Sequence, residues 1–70
     1  MPMHYAKLRN SRRLQRVLAL LSDGREHSTR DIIMRAQVCA VNSIIAELRA
    51  NGLPVTCRVC GGVYLYRLGA

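Results

Sequence analysis

The stretch Cys57-Arg58-Val59-Cys60-Gly61-Gly62 carries the most obvious chemistry in this chain. Two thiols at this spacing before a glycine turn can form half of a zinc knuckle, because the turn folds both thiolates toward one tetrahedral ion. A structural zinc site takes four ligands, so Cys39 and a distant histidine would have to complete it. The same spacing serves dithiol redox chemistry in thioredoxin-like proteins, beside a βαβ pattern that is missing here. Alternation argues against both uses. In "VTCRVC" successive side chains point to opposite faces of a strand, which sends Cys57 inward and Cys60 outward. Cys57 then reads as a small buried apolar residue rather than a ligand. His27 lies beside a helix start and reads as a structural hydrogen-bonding residue, and His4 carries no signal. Paired carboxylates, a nucleophile with its base and a phosphate-binding loop are all missing. The expectation is a non-enzyme with no cofactor, no metal and no small-molecule substrate.

Charge is the second source of chemistry. Eleven Lys and Arg against four Asp and Glu leave a net charge of +7, and the isoelectric point is near 10.4. Such an imbalance suits a polyanionic partner, either nucleic acid or an anionic membrane surface. Lys7, Arg9, Arg12, Arg13 and Arg16 form a basic run with no acid among them, and Arg30, Arg35, Arg58 and Arg67 extend the candidate phosphate-binding set. There is no apolar run of about eighteen residues and no signal-peptide core, so the chain is expected to be soluble and intracellular, with its odd number of cysteines reduced.

These residues need elements to position them. Seventy residues make one domain, and a chain of this size buries only ~60% of its unfolded surface, which excludes a large enclosed pocket. Residues 1–9 read as a flexible basic arm and residues 10–70 as the domain. After a cap at Asn10 or Ser11, Leu14, Val17, Leu18 and Leu21 form one apolar helical stripe that ends before Gly24. "REH" is a short extended segment. Ser28 caps a second helix, with Asp31 at capping-box spacing and Ile32, Ile33 and Ala36 as its apolar side, ending near Gln37. A third helix starts at Cys39 or Ala40 and runs to Ala50, stopped by Asn51-Gly52 and Pro54. Its buried stripe is Val41, Ile44, Ile45 and Leu48. At 100° per residue this leaves Cys39, Ala40, Ser43, Ala46, Glu47 and Ala50 facing away, with Asn42 on the flank.

Beyond Pro54 the period changes to two. Gly61-Gly62 joins two β-rich runs, and a hairpin folded there pairs Cys60 with Val63, Arg58 with Leu65 and Thr56 with Arg67 on one face. The other face pairs Val59 with Tyr64, Cys57 with Tyr66 and Val55 with Leu68, and being apolar it should close the core.

Helix, short strand, short helix, turn, helix and hairpin is the order of a winged helix-turn-helix, and "LLSDGREHSTRDI", "VNSIIAELRANGLPV" and "YLYRL" resemble that family. The chain is similar to helix-turn-helix domains of phage proteins and, more distantly, to the DNA-binding domain of biotin-operon repressors, from about Leu14 onward. Two positions differ from the common pattern, Gln37 where such turns often carry Gly and Cys39 where they often carry Ser or Thr. The resemblance implies an α+β fold, mainly α with a small sheet, in which three helices precede a C-terminal β-hairpin wing. It also implies that residues 39–50 form a recognition helix. Ala40, Asn42, Ser43, Ala46 and Glu47 would then read bases: Asn42 pairing with adenine, Glu47 accepting from a cytosine amine, and the alanines touching a thymine methyl. No Lys or Arg precedes Arg49 on that face. The expected function is sequence-specific binding of double-stranded DNA by a small phage or prophage transcriptional regulator, or a recombination accessory factor, in the cytoplasm of a bacterial host. A second copy of the chain or the transcription machinery would be its protein partner, and a membrane would not. The alternative is a protein-interaction module that uses the uncharged third-helix face and the Val63–Leu65 wing surface.

Overall fold

The structure is a computed structural model that describes residues 11–69. The basic arm expected over residues 1–9, with Lys7 and Arg9, lies outside the described residues. Three helices and three strands follow one another as α1 (Arg12–Leu21), β1 (His27–Ser28), α2 (Thr29–Ala36), α3 (Val41–Ala50), β2 (Val55–Cys60) and β3 (Val63–Leu68). No helix among the described residues is long and apolar enough to cross a membrane.

Each boundary has a local cause. The Ser11 hydroxyl accepts from the Leu14 N–H at 3.3 Å and so caps α1, while the Ser28 hydroxyl accepts from the Asp31 N–H at 3.0 Å and caps α2. The Asp31 carboxylate does not complete a reciprocal capping box; it pairs with His27 and Arg35 instead. α2 ends because Gln37 takes the left-handed conformation, φ 55° and ψ 54°, and turns its N–H to the Ile33 carbonyl. That is the conformation for which glycine is the usual choice at a helix end. α3 begins at Val41, with Ala40 at its cap and no side chain bonded to the first turn. At its other end Asn51 turns back, its side-chain amide donating to the Glu47 carbonyl at 2.7 Å.

The core is built from the expected stripes. Leu14, Val17 and Leu21 of α1, Ile32 and Ala36 of α2, and Val41, Ile44, Ile45 and Leu48 of α3 are buried, with Leu18 partly buried beside them. Each fully buried aliphatic side chain contributes roughly 1.5–3 kcal/mol, which matters in a domain of this size. Ile33 corrects the expectation for α2. It is 40% exposed, since the two-turn helix directs only the Ile32–Ala36 line at the core.

β3 is the central strand of an antiparallel sheet of order β1-β3-β2. The hairpin register matches the expected one at every pair from Val55 with Leu68 to Cys60 with Val63, and β1 adds His27 opposite Tyr66 and Ser28 opposite Leu65. Gly61 and Gly62 have φ of 58° and 81°, the positive angles of a type I′ turn. The face expected to close the core does so only at its base. Val55 and Tyr66 are buried, whereas Val59, Tyr64 and Cys57 are exposed.

Candidate nucleic-acid interface

The outward side of α3 presents small residues. Ala40, Asn42, Ser43 and Ala46 are exposed there, and Glu47 is partly buried. Two of these expected base readers already have partners. The Glu47 carboxylate accepts from Arg13 Nη2 at 3.1 and 3.3 Å, and Asn42 Oδ1 accepts from the Tyr66 hydroxyl at 3.3 Å. Reading a cytosine amine with Glu47 would compete with Arg13, whereas the Asn42 amide group keeps its own donors for a base. An open groove of about 490 Å³ runs along this side. It is lined by Arg13 and Arg16 of α1, the turn from Gln37 to Ala40, and Ser43, Ile44 and Glu47 of α3.

The arginines divide into structural and unengaged groups. Arg16 donates through Nε to the Ala36 carbonyl at 2.8 Å and through Nη2 to the Gln37 carbonyl at 3.4 Å, so it braces the α2–α3 turn from α1. Arg35 pairs with Asp31 at 2.9 Å, and Arg58 pairs with Glu26 by a fork whose Nη2 arm is 2.7 Å long. Bidentate pairing makes Arg58 a tie between β2 and the segment just before β1 more than a free phosphate contact. Arg12, Arg30 and Arg67 form no ion pair with another described residue, and Arg25, absent from the expected set, is like them. Arg49, also outside that set, donates to the Val55 carbonyl at 2.9 Å and anchors the start of β2. Counting acids would have shown this from the sequence: with four carboxylates for eleven cations, most cations must lack an acid.

All four carboxylates are engaged. Besides Glu26 and Glu47, Asp23 and Asp31 grip the two nitrogens of His27, whose side chain is 6% exposed. Nε2 lies 3.0 Å from both Asp23 oxygens, and Nδ1 bonds Asp31. Burial alone pushes the imidazolium down, but the hydrogen bonds to Asp31 and Asp23 outweigh it and hold the pKa above 6.5. Asp23 lies below the usual carboxylate value, because the Arg25 N–H and then His27 bond its charged form. The fork from Arg58 does the same for Glu26. The structural role expected for His27 is what this geometry describes.

Cys39, Cys57 and Cys60 are exposed free thiols. Cys57 is thus a correction: it shares the face of its cross-strand partner Tyr66, as alternation requires, yet on the outer strand it stands exposed while Tyr66 on the central strand is buried. Among the described residues no three His, Cys, Asp or Glu side chains come together to hold a metal ion. No family profile, curated protein or solved structure matches the chain.

Proposed function

We propose that the chain binds double-stranded DNA sequence-specifically, as a small regulator or recombination accessory factor of phage or prophage type acting in a bacterial cytoplasm. One observation carries the reading: all four carboxylates already have a closer partner, and Arg12, Arg25, Arg30 and Arg67 stand exposed with no ion pair among the described residues. They hold phosphates, and α3 enters the major groove with Ala40, Asn42, Ser43 and Ala46 toward base edges.

Titration of duplex DNA at rising salt tests it. The log-log slope should be about −0.9 per phosphate neutralised, and Arg12→Ala or Arg67→Ala should each make it shallower by roughly one. Ser43→Ala should leave the slope alone and lower the preference for a selected site by roughly 1–3 kcal/mol. Absence of binding at low salt overturns the proposal. The second reading, a protein-interaction module, is favoured by the exposed Val59, Val63 and Tyr64 of the wing, and it would take over in that case.

A further inference from the structure

The hairpin's backbone leaves a small and well-defined set of hydrogen-bonding groups open. Across a two-residue turn the flanking residues form a hydrogen-bonded pair, so Cys60 bonds Val63, and by alternation Arg58 bonds Leu65 and Thr56 bonds Arg67. The Gly69 N–H, donating to the Pro54 carbonyl at 2.9 Å, continues the same series. Val55, Cys57 and Val59 therefore turn their backbone groups away from β3, toward the outer edge of the sheet. Those of Val55 are occupied, its N–H by the Leu53 carbonyl and its carbonyl by Arg49, each at 2.9 Å. Cys57 and Val59 keep theirs open among the described residues.

Nothing described guards that edge. Arg58 is the one charged residue of β2, and its pairing with Glu26, just before β1, draws it across β3 and away from the edge. A strand with no internal proline and no charge at its open side is a template for another strand.

We propose that the open edge of β2 pairs with the same edge of a second copy of the chain, antiparallel about a two-fold axis at Arg58, joining two three-stranded sheets into one. The self-match selects this partner and this register. A two-fold axis normal to the sheet sets residues of the same face opposite each other, so the centre must fall on a residue. Centred on Arg58, Cys57 of each copy meets Val59 of the other and about four backbone hydrogen bonds form from the open groups alone, while the two Arg58 residues stand opposite each other, each with its charge offset by its own Glu26. Centred on Cys57, Val59 would meet Val55, whose groups are taken. The axis also keeps both core faces on one side, so the exposed Val59 and Tyr64 of each wing lie on the side that carries the other copy's helices. This dimer does not depend on the DNA reading.

Sedimentation equilibrium of the full chain over a range of concentrations, with amide exchange at Cys57 and Val59, tests the pairing. A dimer whose formation protects those two amides supports it. Val59→Pro removes an N–H that β3 does not use, so the fold should stay and the dimer dissociation constant should rise at least about tenfold. A second variant is independent of that proline. Arg58→Cys with Cys39→Ser, Cys57→Ser and Cys60→Ser should give a disulfide-linked dimer in oxidised glutathione, while Thr56→Cys in the same background should not. A monomer at all concentrations, a dimer unaffected by Val59→Pro, or amide protection independent of concentration, as when the chain's own first ten residues cover the edge, would each overturn the proposal.

Discussion

At the base of the hairpin Val55 and Tyr66 are buried and Leu68 is partly buried; Cys57, opposite Tyr66 on the outer strand, and Val59 and Tyr64 nearer the tip share their face and stand in solvent. Both regions follow one alternation, and Tyr64 and Tyr66 are even the same residue type two positions apart. Tyr66 is 4% exposed and Tyr64 is 54% exposed. The difference lies in what sits underneath. Tyr66 lies between β1, through its pairing with His27, and the flank of α3, through its bond to Asn42. Around Tyr64 the sheet has run past both. Alternation decides the face a side chain takes, whereas burial needs a second layer over that face.

The largest expected effect comes from truncating the two tyrosines. Tyr66→Ala should cost roughly 3–5 kcal/mol of unfolding free energy, enough to leave this small domain largely unfolded, and Tyr64→Ala should cost under about 1 kcal/mol. Urea denaturation followed by circular dichroism measures both, and equal losses would show that the wing tip is packed as its base is.

A smaller effect sharpens the contrast from the side of charge, since His27 at the base is held by two carboxylates and the tip has no such clamp. The His27 pKa is raised above 6.5 on folding, so its contribution is complete below 6.5 and is lost as pH rises through the folded value. The Asp23 pKa is lowered below 3.8, so its contribution is present above 3.8 and is lost as pH falls through the folded value. Stability measured by urea midpoint should therefore decline above pH 6.5 in the native chain, and His27→Gln should flatten that alkaline decline. A decline of the same size in the variant would assign it to other groups.

The smallest effect concerns the thiols. Cys57 is on the core face and Cys60 on the other, yet both are exposed, so Cys57→Ser and Cys60→Ser should each change stability by less than about 0.5 kcal/mol. A clear loss for Cys57→Ser alone would mean that its side is covered in solution, which the pairing of two β2 edges would also produce. Comparison of dilute and concentrated samples separates the two causes.

The elements were legible because their signals are local. Leu14, Val17 and Leu21 at helical spacing, Ser28 before Asp31, and two glycines between alternating runs each act within a few residues, and the hairpin register follows from its turn alone. Exposure was legible only where an element packs along its whole length. The chemistry of the candidate site depended on long-range partners. Glu47 lies 34 positions from Arg13 and Arg58 lies 32 from Glu26, separations at which spacing carries no information. The basic run was visible as a composition, but which of its arginines stay without an ion pair and which brace the fold was not. Arg16 and Arg12 differ by one turn of α1, yet Arg16 is bonded to the Ala36 carbonyl and Arg12 has no ion pair among the described residues.

The brace made by Arg16 has a consequence for any encounter of α3 with a partner. With Gln37 already in its left-handed conformation and the last carbonyls of α2 held from α1, the angle between α2 and α3 is set when the chain folds. Association then needs little further ordering of that turn, and the entropic penalty of fixing it falls on folding rather than on the complex. Preorganisation of this kind favours slow dissociation over fast capture, so loosening the brace should shorten the lifetime of a complex while leaving the rate of its formation nearly unchanged.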